Sequence, residues 1–207
     1  MTEIQLSHPS IFVLYGKAGS GKSSLAKYLI YHFQTKQLCD LVFVLSGTSF
    51  NEYYQQFLPK NQVKPYDEII INNLLNLCKK KKEAGIDFRV LLILDDILGS
   101  IKSKSDTILK LINNHRHFNI SVIISSQYPN AISPNIREGC SKGFIFHATT
   151  KRAIQALYES YGASDFDKIN DFIKFLNDNT REYNCIVVDN KKVKFEEKWA
   201  VFKSPMF

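Results

Sequence analysis

IFVLYGKAGSGKSSLAKYLIYHF, Ile11 to Phe33, is the stretch that decides the fold of this chain. It opens with the apolar run Ile11-Phe12-Val13-Leu14-Tyr15, which has the length and composition of a buried strand. A glycine-rich turn follows, Gly16-Lys17-Ala18-Gly19-Ser20-Gly21, and then Lys22-Ser23-Ser24. Residues 16–23 match G-x-x-x-x-G-K-S at every position. Beyond them Leu25, Tyr28, Leu29, His32 and Phe33 recur at helical spacing, so a helix begins where the loop ends. Glycines let the backbone curl around a phosphate chain with its N–H groups turned inward, and the helix N-terminus adds partial positive charge. In such a loop residues 16–24 line the phosphates, Lys22 reaches the β- and γ-phosphates, and the Ser23 hydroxyl ligates Mg²⁺. The stretch predicts nucleoside triphosphate binding, with ATP and Mg²⁺ as the ligands.

Working outward, Leu91-Leu92-Ile93-Leu94-Asp95 fits a Walker B strand: four apolar residues ending in an acid. A carboxylate at the C-terminal end of a strand beside the phosphate loop suits the metal, and Asp95 takes that role. Asp96 follows it, placed to orient and polarise an attacking water. Gln127, just past the next strand, offers an amide to the γ-phosphate or the water. Cleavage also needs positive charge at the γ-phosphate, and the candidates are Arg116, Arg137 and Lys17. As surface charges, all three would do no more than face solvent.

The remaining patterning indicates an α/β chain with a mainly parallel sheet. Leu41–Leu45, Val90–Leu94, Ile120–Ser125 and Gly143–Phe146 are further continuous apolar runs, as expected of strands covered on both faces. Between them helices are expected at Tyr66–Ala84, with Ile69, Ile70, Leu74, Leu75, Leu77 and Cys78 inward, and at about Asp106–Phe118, with Ile108, Leu109, Leu111 and Ile112 inward. Residues 51–65, carrying Pro59 and Pro65, read as a loop or short irregular helices. The last third suggests helices at Lys151–Tyr161 and Asp165–Asn177. A hairpin of Cys185–Val188 with Val193–Phe195 or beyond is expected to turn through Asp189-Asn190-Lys191. We expect one domain over residues 1–207, with a core at about 8–161 and a helix and strand extension at about 162–207.

Composition sets the outer bounds. The 207 residues are 44% hydrophobic and 23% charged, as in ordinary globular chains, and no apolar run nears the length of a membrane span. MTEIQLSHPS has neither the basic nor the apolar region of a secretory signal, which leads us to expect an intracellular location. Cys39, Cys78, Cys140 and Cys185 form no C-x-x-C pair and read as reduced thiols. A net charge of +7, with lysine clusters at Lys79–Lys82 and Lys102–Lys104, is compatible with a polyanionic partner or with solvated faces.

GKAGSGKSS, then LLILDD, then NNHRHFNISVIISSQYPNAISPNIREG resembles the FtsK/HerA superfamily of P-loop motors. The likeness is to the genome-packaging ATPases of poxviruses, giant viruses, virophages and related viruses, and it covers roughly residues 11–161. The resemblance implies a RecA-like sheet of strand order 5-1-4-3-2 and a homo-oligomeric ring around double-stranded DNA, docked on a capsid vertex protein. It implies a location in the host cytoplasm or virion. It would make Asp95 the metal-side acid, Asp96 the catalytic acid where cellular relatives carry Glu, and Gln127 the sensor. Arg116 or Arg137 would be the finger reaching a neighbouring subunit. Gly99–Asp106, with Lys102 and Lys104, is a candidate DNA grip.

Two other readings fit the bare motifs. A small P-loop kinase suits the length and the N-terminal loop, although paired acids and Gln127 argue for hydrolysis. A nucleotide-dependent switch of the ParA/MinD kind would use Lys17 as its extra loop lysine, although the Asp-x-Pro after the Walker B strand is missing.

Overall fold

Continuous apolar runs need both faces covered, and each becomes a buried strand here. The computed structural model describes residues 4–47, 52–97 and 105–203. Strand β1 (Ile11–Tyr15) is buried along its whole length and leads into helix α1 (Lys22–Thr35). Then come β2 (Leu41–Ser46), β3 (Val63–Pro65), α2 (Glu68–Glu83) and β4 (Val90–Asp95). They are followed by α3 (Asp106–Asn114), β5 (Ile120–Ser126), α4 (Pro134–Gly139) and β6 (Lys142–Ile145). The chain closes with α5 (Lys151–Leu157), α6 (Ile169–Asn179), β7 (Asn184–Asp189), α7 (Phe195–Lys198) and β8 (Trp199–Lys203).

The sheet has eight strands in the order β3-β2-β4-β5-β1-β6-β7-β8. The five strands expected from the apolar runs lie in the implied order 5-1-4-3-2, as β6-β1-β5-β4-β2, with β3 added at one edge and β7-β8 at the other. The ladders β2–β3, β2–β4, β4–β5 and β1–β6 are parallel, whereas β6–β7 and β7–β8 are antiparallel. The described residues divide into two compact units, one of residues 4–5, 12–28 and 126–203 and the other of 6–11 and 29–125.

Several local expectations need correction. Strand β3 sits where a loop or irregular helices were expected, after 3₁₀ turns at Tyr54–Gln56 and Lys60–Gln62. Its Pro65 is tolerated because an edge strand has a free side. Helix α2 buries Ile71, Leu74, Leu75 and Cys78, while Ile69 is 67% exposed and Leu77 is 40% exposed. Leu74, Leu75 and Cys78 face inward as expected, whereas Ile71 is buried in place of Ile69 and Leu77 faces out. Helix α3 stops at Asn114, and Leu109 lies on its exposed side. Helix α5 widens into a π turn over Tyr158–Gly162. The second strand of the expected hairpin lies beyond Val193–Phe195: β7 pairs antiparallel with β8, through a connection that contains α7.

In the first unit the C-terminal elements are pinned by aromatic edges and one ion pair. Phe166, Phe172, Phe175, Phe195 and Trp199 meet at centroid spacings of 5.2–6.2 Å. Lys198 pairs with Asp165, whose carboxylate also accepts from Trp199 Nε1 at 3.1 Å. In the second unit His8 lies between Ser121 and Asn119. Its Nε2 donates to Asn119 Oδ1 at 3.0 Å, and its Nδ1 accepts from Ser121 Oγ at 2.7 Å. That arrangement is the neutral ring.

Burial, with some repulsion from Arg89, holds the His8 pKa below its ordinary value, and burial does the same to His115. The unfolded chain then binds protons that the folded chain refuses once the pH drops below the ordinary histidine range. We expect the thermal midpoint to fall as pH is lowered from about 7.5 to about 5.5, and His8→Asn to flatten part of that slope. Melts followed by circular dichroism test this; an unchanged slope in His8→Asn would contradict it.

Candidate functional site: the phosphate loop and the carboxyl edge

Parallel strands end at a common carboxyl edge, the usual place for ligands in such sheets. In the first unit, the Gly16 N–H donates to the Ser126 carbonyl at 3.2 Å, which marks the end of β1 and the start of the loop. A Cβ on Gly16 would lie 2.4 Å from Ser20 Oγ and 2.8 Å from Phe146 Cβ, so the loop closes only around a hydrogen. Gly19 and Gly21 take φ of 73° and 103°, a region that side chains disfavour. Lys17, Ala18 and Gly19 are exposed, Ser20, Ser23 and Ser24 are half-buried, and Lys22 is buried. The Lys22 ammonium donates to the Gly16 carbonyl at 2.5 Å and to the Lys17 carbonyl at 3.0 Å, which folds its side chain back over the loop. Ser20 Oγ is sealed from solvent without a protein partner, a donor suited to a phosphate oxygen.

Gln127 stands just beyond β5. Together with Gly16, Lys17, His147 and Thr149 it lines a cavity of about 80 Å³. The structure thus brings Gln127 to the first turn of the phosphate loop. His147 and Thr149 carry no motif, and only the fold places them there.

Arg137 has a different surrounding. It is buried, and its Nη1 donates to the Pro129 carbonyl at 3.0 Å and the Ile132 carbonyl at 3.1 Å. With Nη1 on two carbonyls, the guanidinium braces the turn after Gln127.

In the second unit β4 ends on Asp95, which is buried, and Asp96 follows, half-buried with φ 51°. A left-handed non-glycine residue at a strand tip is a local cost, of the kind concentrated at functional sites. The parallel register sets Ser46 and Ser125 directly beside Asp95 on the neighbouring strands, forming a polar row at the edge. Ser125 Oγ is buried without a protein partner. Tyr54 is also buried beside this acid. Burial first, and then the Asp95 charge, push its phenol well above its ordinary pKa. Tyr54 lies outside any motif, and Ser125, within the quoted stretch, is given no role there. Gly47 lets the backbone after β2 come close: a Cβ there would sit 2.7 Å from the Asp96 carbonyl oxygen. Arg116, after α3, is exposed.

Lys79, Lys80 and Lys82 are exposed at the end of α2, with Lys79 facing Glu83 at 3.8 Å. Lys102 and Lys104 lie outside the described residues, and so does nearly all of the proposed grip segment. Among the described residues no group of three or more His, Cys, Asp or Glu could hold a metal, and no helix is long and apolar enough to cross a membrane.

A loop strand separated by one strand from an acid-tipped strand, with a helix starting on the loop lysine, defines a P-loop NTPase of RecA-like topology. The family described as Poxvirus A32 protein matches residues 3–201, and the chain belongs to it. It is 30% identical to the uncharacterized protein L437 of Acanthamoeba polyphaga mimivirus, over 95% of this chain and 72% of that protein. The fold is similar to that of B204, the DNA-packaging ATPase from Sulfolobus turreted icosahedral virus, with TM-score 0.70, 16% identity, and coverage of 96% of this chain and 99% of that one. B204 from Sulfolobus turreted icosahedral virus 2, in complex with ATP-gammaS, gives TM-score 0.68 at 16% identity, covering 94% of this chain and 97% of that one.

The tight approach at Gly47 is open to a direct test. Gly47→Ala must displace the Asp96 carbonyl and is expected to cost roughly 1–3 kcal/mol. Gly139→Ala, where an added Cβ meets nothing within 4 Å, serves as the control and should stay within about 0.5 kcal/mol of the parent. Urea unfolding compares the two; equal costs would show that the approach at Gly47 relaxes freely.

Proposed function

We propose that this chain is an ATP-hydrolysing motor that translocates double-stranded DNA into a viral capsid. The observation that carries the reading is the joint presence of a complete phosphate loop and paired acids on a RecA-like sheet, in a chain of the poxvirus A32 family. Support comes also from the similar fold of B204, a DNA-packaging ATPase. Gln127 in the loop's own cavity favours hydrolysis over the kinase and switch readings, because a γ-phosphate sensor serves water attack.

In this reading the N–H groups of residues 16–24 hold the phosphate chain, and Lys22 swings from the Gly16 and Lys17 carbonyls to the β- and γ-phosphates. Ser23 and Asp95 present the oxygen donors that suit Mg²⁺, a hard cation that keeps waters and substrate oxygens and so needs few protein ligands. When bound, Mg²⁺ neutralises charge on the β- and γ-oxygens. Asp96 accepts a proton from the attacking water, while Gln127 orients that water through its amide. Arg116, exposed after α3, supplies the finger to the next subunit of a homo-oligomeric ring. The chain forms a single functional domain, acting in the host cytoplasm and at the virion, with a capsid vertex protein as docking partner. The exposed lysines of α2 are available to duplex phosphates.

Phosphate release from Mg-ATP, measured at high protein concentration with and without linear duplex DNA, tests the reading. We expect stimulation by DNA. We expect its loss in Lys22→Ala, and a fall of roughly a hundredfold or more in Asp96→Asn. Asn tolerates the left-handed backbone at 96, so that variant should fold. Turnover like wild type in Asp96→Asn would remove the proposed base, and diphosphate formation from added nucleoside monophosphates would favour the kinase.

A further inference from the structure

The turn that leads into β7 is built from the wrong residues for its shape. The Asn184 N–H donates to the Arg181 carbonyl at 2.9 Å, and the two central residues, Glu182 and Tyr183, have φ of 53° and 63°. Both central residues left-handed is the type I′ pattern, which Gly, Asn and Asp fill at little cost and a bulky aromatic residue does not. Tyr183 nevertheless occupies it, and the residue is 55% exposed. An exposed aromatic side chain held on a strained backbone points to a use for the ring.

Its position shows what that use is. A Cβ built on Gly21 lies 3.7 Å from Tyr183 Cδ1 and 3.3 Å from Phe146 Cε1. Phe146 is buried and forms the floor of the loop, whereas Tyr183 rises beside it into solvent. The far end of the loop, at Gly16 and Lys17, shares its cavity with Gln127. In the first unit β6 lies between β1 and β7, and β7 runs antiparallel to β6, so β7 begins at the carboxyl edge where the loop sits. A triphosphate whose γ end meets Gln127 therefore leaves the loop past Gly21, on the side of Tyr183.

We propose that Tyr183 is the wall on which the nucleobase stacks, a nucleoside-binding residue outside every motif of this chain. The proposal rests on the nucleotide reading given above. Stacking uses the face of the base, so the ring contributes to binding of the nucleoside part and nothing to binding of the phosphates.

Calorimetric titration of the full chain with Mg-ATP and with magnesium tripolyphosphate separates the two contributions. Tyr183→Asn keeps the left-handed turn and removes the ring. It should weaken ATP roughly tenfold and leave tripolyphosphate within about twofold, since base–aromatic stacking is of that size. Tyr183→Phe should bind ATP like the parent. ATP affinity unchanged in Tyr183→Asn, equal losses for both ligands, or a loss in Tyr183→Phe as large as in Tyr183→Asn would each overturn the proposal. A parent protein that binds neither ligand would overturn the phosphate-loop reading itself, and this proposal with it.

Discussion

One backbone hydrogen bond organises the first unit: the Gly16 N–H to the Ser126 carbonyl, at 3.2 Å. It ends β1 at Tyr15 and begins the loop one residue later. Gln127, next after Ser126, is thereby fixed at the loop's first turn. From there the geometry is over-determined. Gly16 has no room for a Cβ between Ser20 and Phe146, and Lys22 is drawn back over the carbonyls of Gly16 and Lys17. A phosphate cradle needs its backbone donors preformed, because ordering a loop at the moment of binding would cost conformational entropy. Here buried packing under the loop, chiefly Phe146, meets that cost during folding.

The second unit solves a related problem at its own edge. A carboxylate at a strand tip is useful only if burial keeps it in place without neutralising it. Ser46 and Ser125 flank Asp95 in register, and the Tyr54 phenol lies in its field, so the acid is surrounded by hydroxyls rather than by hydrocarbon. Gly47 and the left-handed Asp96 then let two strand ends come close enough to share that edge. Buried hydroxyls around an acid orient it, in the way outer partners orient ligands at metal sites generally.

The C-terminal segment is more than an appendage in this picture. Its aromatic cluster and the Lys198–Asp165 pair set β7 and β8 against β6. That placement carries Glu182 and Tyr183 to the carboxyl edge. An antiparallel extension of a parallel sheet returns the chain to the edge where ligands bind, and so adds side chains to a site that parallel strands alone would have to build from their own loops.

The sequence by itself determined the parallel core and the phosphate loop. Five continuous apolar runs can be satisfied only as strands buried on both faces, and residues 16–23 carry a spacing that only phosphate binding explains. Asp95, Asp96 and Gln127 were legible because each lies within a few residues of the end of an apolar run, which places it near a strand tip. Tertiary structure decided the rest. Arg137 reads as a surface charge until its two carbonyl partners appear, and α2 presents Ile71 rather than Ile69 inward. β3, the α7 connection, Tyr54, Ser125 and Tyr183 leave no mark in spacing. Their roles come from contacts between residues far apart in the chain, which periodicity does not record.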